Sequence, residues 1–248
     1  MQCFQELGHS SEEMMPVELR DDGLYAVTCQ NGHSTVTAIQ QQKFEVLFDL
    51  AAMALLDGYP REASTSMAAA LERFYEFYVR VICIKHKVDK DVFMSTWKGI
   101  ENRSERQFGA YLFVALLDKP KSIPATIENA MPTLPSTSKG QSLSWSGFRN
   151  AVVHKGYIPS TVESFAYGEL VFRHINQLIN ELKKTHSQHL QEATVAHLLR
   201  AHNGSAGKQV STMSIPTLLS LVHERPPDAS FQDAIKELEK YRKWLHRK

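Results

Sequence analysis

The chain has 248 residues, 43% hydrophobic and 22% charged, with a formal net charge of +1. That suits one large domain with appendages and excludes whole-chain disorder. The near-neutral balance excludes a generally polybasic nucleic-acid binder and leaves a local basic site open. No apolar run approaches the ~20 residues of a membrane helix, so no membrane association is expected. Met1–Gly8 lacks the basic and apolar regions of a secretory signal. Three cysteines, Cys3, Cys29 and Cys83, cannot build a disulfide framework, so a reducing, cytoplasmic setting is expected.

Charge is uneven along the chain. Residues 1–22 carry six acids against Arg20, and residues 235–248 carry six bases against Glu237 and Glu239. The basic end reads first as a solvated helix terminus whose cations suit the helix dipole; contact with phosphate is the alternative.

Residues 1–20 show no clear period, and loose order is expected there. Residues 24–39 read as a β-hairpin, because Val27, Thr28, Thr35, Val36 and Thr37 favour strands and Asn31-Gly32 suits a two-residue turn. The fold class expected for the rest is mainly α. Phe44, Leu47, Phe48, Ala51, Ala52 and Leu55 form one stripe over 42–56, with Gly58 as its stop. A longer helix is expected over 60–85, with Cys83 on its apolar face, and two more over 90–100 and 105–118. Four prolines and a Ser/Thr/Gly run make 119–143 a long loop, either beside a site or a disordered insertion. A short helix starts near Ser144 or Ser146 and should stop at Gly156. Ser160 and Glu163 then form a capping box for a helix to about Thr185. The tail should add helices near 188–202, 215–223 and 229–246, with Asn203–Gly207 setting it off from the main body. The expected organisation is an N-terminal segment 1–41, a helical domain 42–185 and a helical extension 186–248.

The chemistry concentrates in Arg149-Asn150-Ala151-Val152-Val153-His154. Asn150 and His154 are four apart and share a helix face. Arg149 lies about 140° round from His154, within reach of its long side chain. Histidine exchanges a proton near neutral pH, and arginine offers a planar donor fork to phosphate oxygens. Asn150 can orient the histidine or hold a phosphate oxygen. No carboxylate cluster stands beside them in the sequence, so a two-metal mechanism has no evident ligands. An Arg and a His on one helix are more often surface or interface residues.

Arg-Asn-x-x-x-His, on a short helix after a long loop and before a long helix, resembles the motif of the HEPN superfamily (higher eukaryotes and prokaryotes nucleotide-binding domains). Arg149, Asn150 and His154 match it without departure, and Ala70-Leu71-Glu72-Arg73-Phe74 resembles the family's acid-bearing apolar helix. The likeness covers about residues 42–185. It implies a helical bundle that dimerises and pairs two copies of the motif, with no cofactor. Active members are metal-independent RNA endonucleases of bacterial toxin–antitoxin and antiphage systems. They use the RNA 2′-hydroxyl as nucleophile and leave a 2′,3′-cyclic phosphate and a 5′-hydroxyl. On that resemblance His154 is general base or acid, Arg149 stabilises the transition state and Asn150 positions His154 or the phosphate. Glu72 either orients Arg149 or pairs with Arg73 or Arg80. Lys155 and Tyr157 are candidate RNA contacts, Tyr157 equally a core residue. RNA, a second copy and an antitoxin or sensor subunit are the expected partners. A non-catalytic HEPN-like binding scaffold is the competing reading; a transcription regulator built on the tail has little support.

Cys29 and His33, with Cys3 and His9, invite a zinc site. A two-residue turn argues against it: Gln30 would face His33 and Cys29 would point to the opposite side, leaving a plain hairpin.

Overall fold

The computed structural model describes residues 2–9, 17–129, 144–203, 210–223, 225–226 and 229–245. The fold is mainly α-helical with a small three-stranded sheet. In chain order the elements begin with α1 (Gln2–Leu7), β1 (Leu24–Thr28), β2 (Ser34–Ile39), α2 (Lys43–Leu56) and α3 (Pro60–Lys85). There follow α4 (Lys90–Lys98), α5 (Ser104–Asp118), a 3-10 turn (Ile127–Asn129), α6 (Trp145–His154), α7 (Thr161–Asn203), β3 (Val210–Met213) and α8 (Phe231–Leu245). None of the described helices is long and apolar enough to cross a membrane. Residues 130–143 of the expected loop, Gly204–Gly207, the acids Glu12 and Glu13, and the bases Arg247 and Lys248 lie outside the described residues.

Contacts gather the chain into two compact units. One joins Met1–Gln42 to Gln191–Pro216, the other Lys43–Leu190 to Thr217–Lys248.

In the first unit β1 and β2 pair antiparallel and β3 adds to β2 in parallel, with Val36 opposite Val210. The β1–β2 turn departs from the expected form. Thr28 pairs with Ser34, Cys29 N–H donates to His33 O (3.0 Å) and Gly32 N–H to Cys29 O (2.9 Å). Three residues, Gln30-Asn31-Gly32, therefore close the hairpin, with Gly32 at φ +79° supplying the left-handed position such a turn requires. Cys29 and His33 become a facing pair, which corrects the geometric reason for setting zinc aside. Two further elements escape the sequence pattern: the single-turn α1, and β3, whose Ser211 hydroxyl lies 2.8 Å from that of Thr37.

In the second unit the core is aromatic. Phe44 meets Phe74 edge-on with centroids 5.1 Å apart, Phe48 lies 5.5 Å from Phe231, and Tyr75 stacks on Tyr111 at 4.3 Å. Such pairs contribute about 0.5–1.5 kcal/mol each beyond their buried area. α2 ends as expected: Gly58 adopts φ +81° and Tyr59 N–H reaches Ala54 O, with Pro60 opening α3. The Ser160–Glu163 box closes reciprocally at the start of α7. The expected break between residues 185 and 188 falls at His186, whose φ of −136° kinks α7. The expected helix near 215–223 does not form. There the amides of Leu218 and Leu221 donate to the carboxylates of Asp49 and Glu45 on α2. Cys83 is half-buried rather than core.

Candidate active site

α6 carries the motif because its ends are fixed and one stripe is apolar. Ser144 caps it, its hydroxyl accepting from Gly147 N–H at 3.1 Å. The Glu128 carboxylate accepts from Ser146 N–H at 2.6 Å, placing an anion at the positive end of the helix. Trp145, Phe148 and Val152 bury the inner face, with Trp145 and Phe148 against Tyr167 of α7. Gly156 ends the segment at φ +67°. The outward stripe is left to Arg149, Asn150 and His154.

Those three side chains meet. Arg149 Nη1 donates to Asn150 Oδ1 at 2.8 Å and lies 3.1 Å from His154 Nε2. Donation there requires the neutral ring to carry its proton on Nδ1. Arg149 Nη2 pairs with Glu72 of α3. Of the two readings of Glu72, pairing with Arg149 is the one present; Arg73 instead bonds Glu76 (2.6 Å) and Gln107 (2.9 Å). The Arg149 side chain is 14% exposed, while His154 stands exposed at the last turn.

Glu72, Arg149 and Asn150 of this network line a cleft with about 670 Å³ of space, counting its open mouth; His154 is not among the lining residues. Leu71, Tyr75, Phe108 and Tyr167 give it an apolar floor, and Glu72, Glu105, Glu128, Arg149 and Asn150 a polar edge. The sequence shows no carboxylate cluster beside the motif; the fold brings three separate carboxylates to this cleft. Glu72 and Glu128 are engaged with Arg149 and with the α6 N-terminus. Glu105 is held below the usual carboxylate range, first by its own backbone amide, against the opposing effect of burial, and then by Ser104 and the positive charge of Arg149. Among the described residues these acids do not form a group of metal-ligating distance; Cys3, Cys29 and His33 do. The Tyr167 hydroxyl is fully buried and has no hydrogen-bond partner among the described residues. Burial pushes its pKa well above the usual tyrosine range, so it stays a neutral hydroxyl.

Lys155 is exposed beside His154 and free to face a polyanion. Tyr157 is partly withdrawn from such a role. Its hydroxyl donates to Glu163 at 2.7 Å, and its ring packs edge-on to Phe148 at 6.4 Å. Glu105, Glu128 and Tyr167 were not found from the sequence, because no fixed spacing links them to the motif. At the C-terminal end, Lys236, Arg242 and Lys243 are paired with Asp233, Asp57 and Glu239, as a solvated helix end would be.

Comparison of the chain with protein-family models, with curated proteins and with solved structures finds no match.

Proposed function

We propose that this protein is a metal-independent RNA endonuclease of the HEPN kind, acting from the cleft edge of α6 as a toxin or antiphage effector. The observation that carries this is the convergence of guanidinium and imidazole: Arg149 Nη1 lies 3.1 Å from His154 Nε2, beside an open cleft and backed by Glu72. In this reading His154 takes the proton of the RNA 2′-hydroxyl. The oxygen attacks the adjacent phosphorus, and Arg149 swings its fork from His154 onto the non-bridging oxygens as charge develops there. The P–O5′ bond breaks, leaving a 2′,3′-cyclic phosphate, and the departing 5′-oxygen takes up a proton to become a hydroxyl. Glu72 and Asn150 hold Arg149 in position, and Lys155 meets the backbone beyond the cut.

Support for a second copy across the site comes from α5. Phe113, Leu116 and Leu117 on that helix are 71%, 41% and 73% exposed, an apolar stripe at one-turn spacing on the element that carries Glu105. Chelator-treated protein is expected to leave cyclic phosphates and 5′-hydroxyls on RNA. His154→Ala and Arg149→Ala should each lose at least ~10²-fold, the usual contribution of a positioned acid or base. Either variant cutting at the wild-type rate overturns the assignment. Phe113→Glu should lower the apparent mass in solution from dimer to monomer and the cleavage rate with it.

One observation favours a second reading. The Arg149 fork already holds three partners, the closed network expected of a binding scaffold that does not cut. Expression toxicity separates the two: toxicity lost in His154→Ala indicates the enzyme, and equal toxicity in both proteins the scaffold. Either form would work in a reducing cytoplasm, with an antitoxin or sensor subunit as its regulator.

A further inference from the structure

We propose that the N-terminal unit binds one zinc ion on Cys3 Sγ, Cys29 Sγ and His33 Nδ1, and that this ion fastens α1 to the hairpin. Two elements deliver the ligands: α1 brings Cys3, and the ends of the three-residue turn bring Cys29 and His33 to face each other. Cys3 Sγ lies 3.5 Å from Cys29 Sγ and 3.1 Å from His33 Nδ1, and the three ligand atoms lie within 4.8 Å of one another. A tetrahedral zinc with bonds of ~2.3 Å to sulfur and ~2.0 Å to nitrogen places its ligands roughly 3.5–3.8 Å apart. The two edges from Cys3 are thus within a few tenths of an ångström of that spacing, and the third, from Cys29 Sγ to His33 Nδ1, is at most 4.8 Å and closes as the ion enters.

The surroundings match that use. His33 Nε2 lies 2.8 Å from Glu6 Oε2. A carboxylate on the outer ring nitrogen fixes the proton there and leaves the Nδ1 lone pair directed at the thiols, the usual arrangement of a zinc-bound histidine. Asn31 Nδ2 donates to Cys3 Sγ at 3.6 Å, a hydrogen bond that orients the sulfur beside its two neighbours. Cys3 is buried and both sulfurs are free thiols. Two thiols and an imidazole are a soft set that selects zinc over magnesium or calcium. His9 lies outside the group of three, so the fourth position falls to water or to a donor beyond them.

The fastening role follows from size. α1 has six residues, too few to hold a helical turn without tertiary anchorage. A metal bridge from Cys3 to the turn supplies that anchorage and couples folding of this segment to zinc.

The test uses the full chain, purified without chelator and assayed for metal by plasma mass spectrometry. About one zinc per chain is expected, falling at least fivefold in Cys29→Ser and in His33→Ala, with helical circular dichroism unchanged because most helices lie in the other unit. Glu6→Gln should bind zinc 10–100-fold more weakly. Wild-type protein stripped and loaded with cobalt should show a thiolate-to-cobalt band in the near ultraviolet and tetrahedral bands in the visible, a readout that depends on no variant folding. Wild-type protein that takes up neither metal, variants that keep the wild-type stoichiometry, or an intact mass two hydrogens low from a Cys3–Cys29 disulfide would each overturn it. RNA cleavage enters none of these measurements, so the two proposals stand or fall separately.

Discussion

A guanidinium that is 14% exposed and holds Glu72, Asn150 and His154 has exchanged water for fixed partners. Glu72 supplies the opposite charge in that exchange, so Glu72→Gln should free Arg149 from its orientation. For the proposed RNA cleavage a fall of ten-fold or more in kcat is expected, with little change in KM and a loss of about 1 kcal/mol or less in denaturant stability, because both side chains keep some water. Tyr167 is the opposite case. Its hydroxyl is buried without a partner among the described residues, so Tyr167→Phe should leave stability unchanged or raise it by about 1–2 kcal/mol in urea titrations. Tyr75→Phe should cost about 1 kcal/mol, because the Tyr75 hydroxyl lies 3.1 Å from His174 Nε2 in the buried core. At this scale the sequence revealed what lies on one helix. Helical period alone brings Arg149, Asn150 and His154 together. Glu72, 77 residues away, could be suggested only by resemblance, and Tyr167 carries no local signal at all.

Among the elements, α7 shows how closely its neighbours are fitted. A Cβ on Gly168 would lie 2.6 Å from the Phe231 ring of α8 and 2.7 Å from the Met67 methyl of α3. The Met67 terminus can swing aside; the Phe231 ring, fully buried against Phe48, Phe165 and Phe172, cannot without moving α8. Gly168→Ala should therefore cost about 1–3 kcal/mol by overpacking, although alanine is the better helix former; thermal unfolding checks the sign. The long helices were legible because stripe, cap and stop agree locally, as at Gly58, Ser144 and Ser160. Residues 215–223 were misread because their amides are captured by Asp49 and Glu45, about 170 residues earlier in the chain. The hairpin was misread by one residue of turn length, enough to exchange the partner of His33 from Gln30 to Cys29.

Over the whole molecule, buried His174 and half-buried Asp49 oppose each other in their response to pH. Burial lowers His174 to about 4, so between pH 6.5 and 4 the unfolded chain takes up a proton that the folded chain refuses, and stability falls as pH falls. Burial raises Asp49 to about 7, against a hydrogen bond from Leu218 and the charge of Arg225. The folded chain keeps that proton after the unfolded chain has lost it, so stability falls as pH rises from about 4 to 7. Asp49→Asn removes the second slope and should leave stability rising by about 3 kcal/mol more than wild type between pH 4 and 6.5, measured as urea midpoints. The assembly of the first unit from two distant chain segments also bears on synthesis. β3 joins β2 in parallel from 174 residues downstream. At about 5–20 residues per second on the ribosome, β2 waits on the order of 10–30 s for that neighbour. Throughout that interval the hairpin of a newborn chain offers a bare edge to whichever extended peptide arrives first.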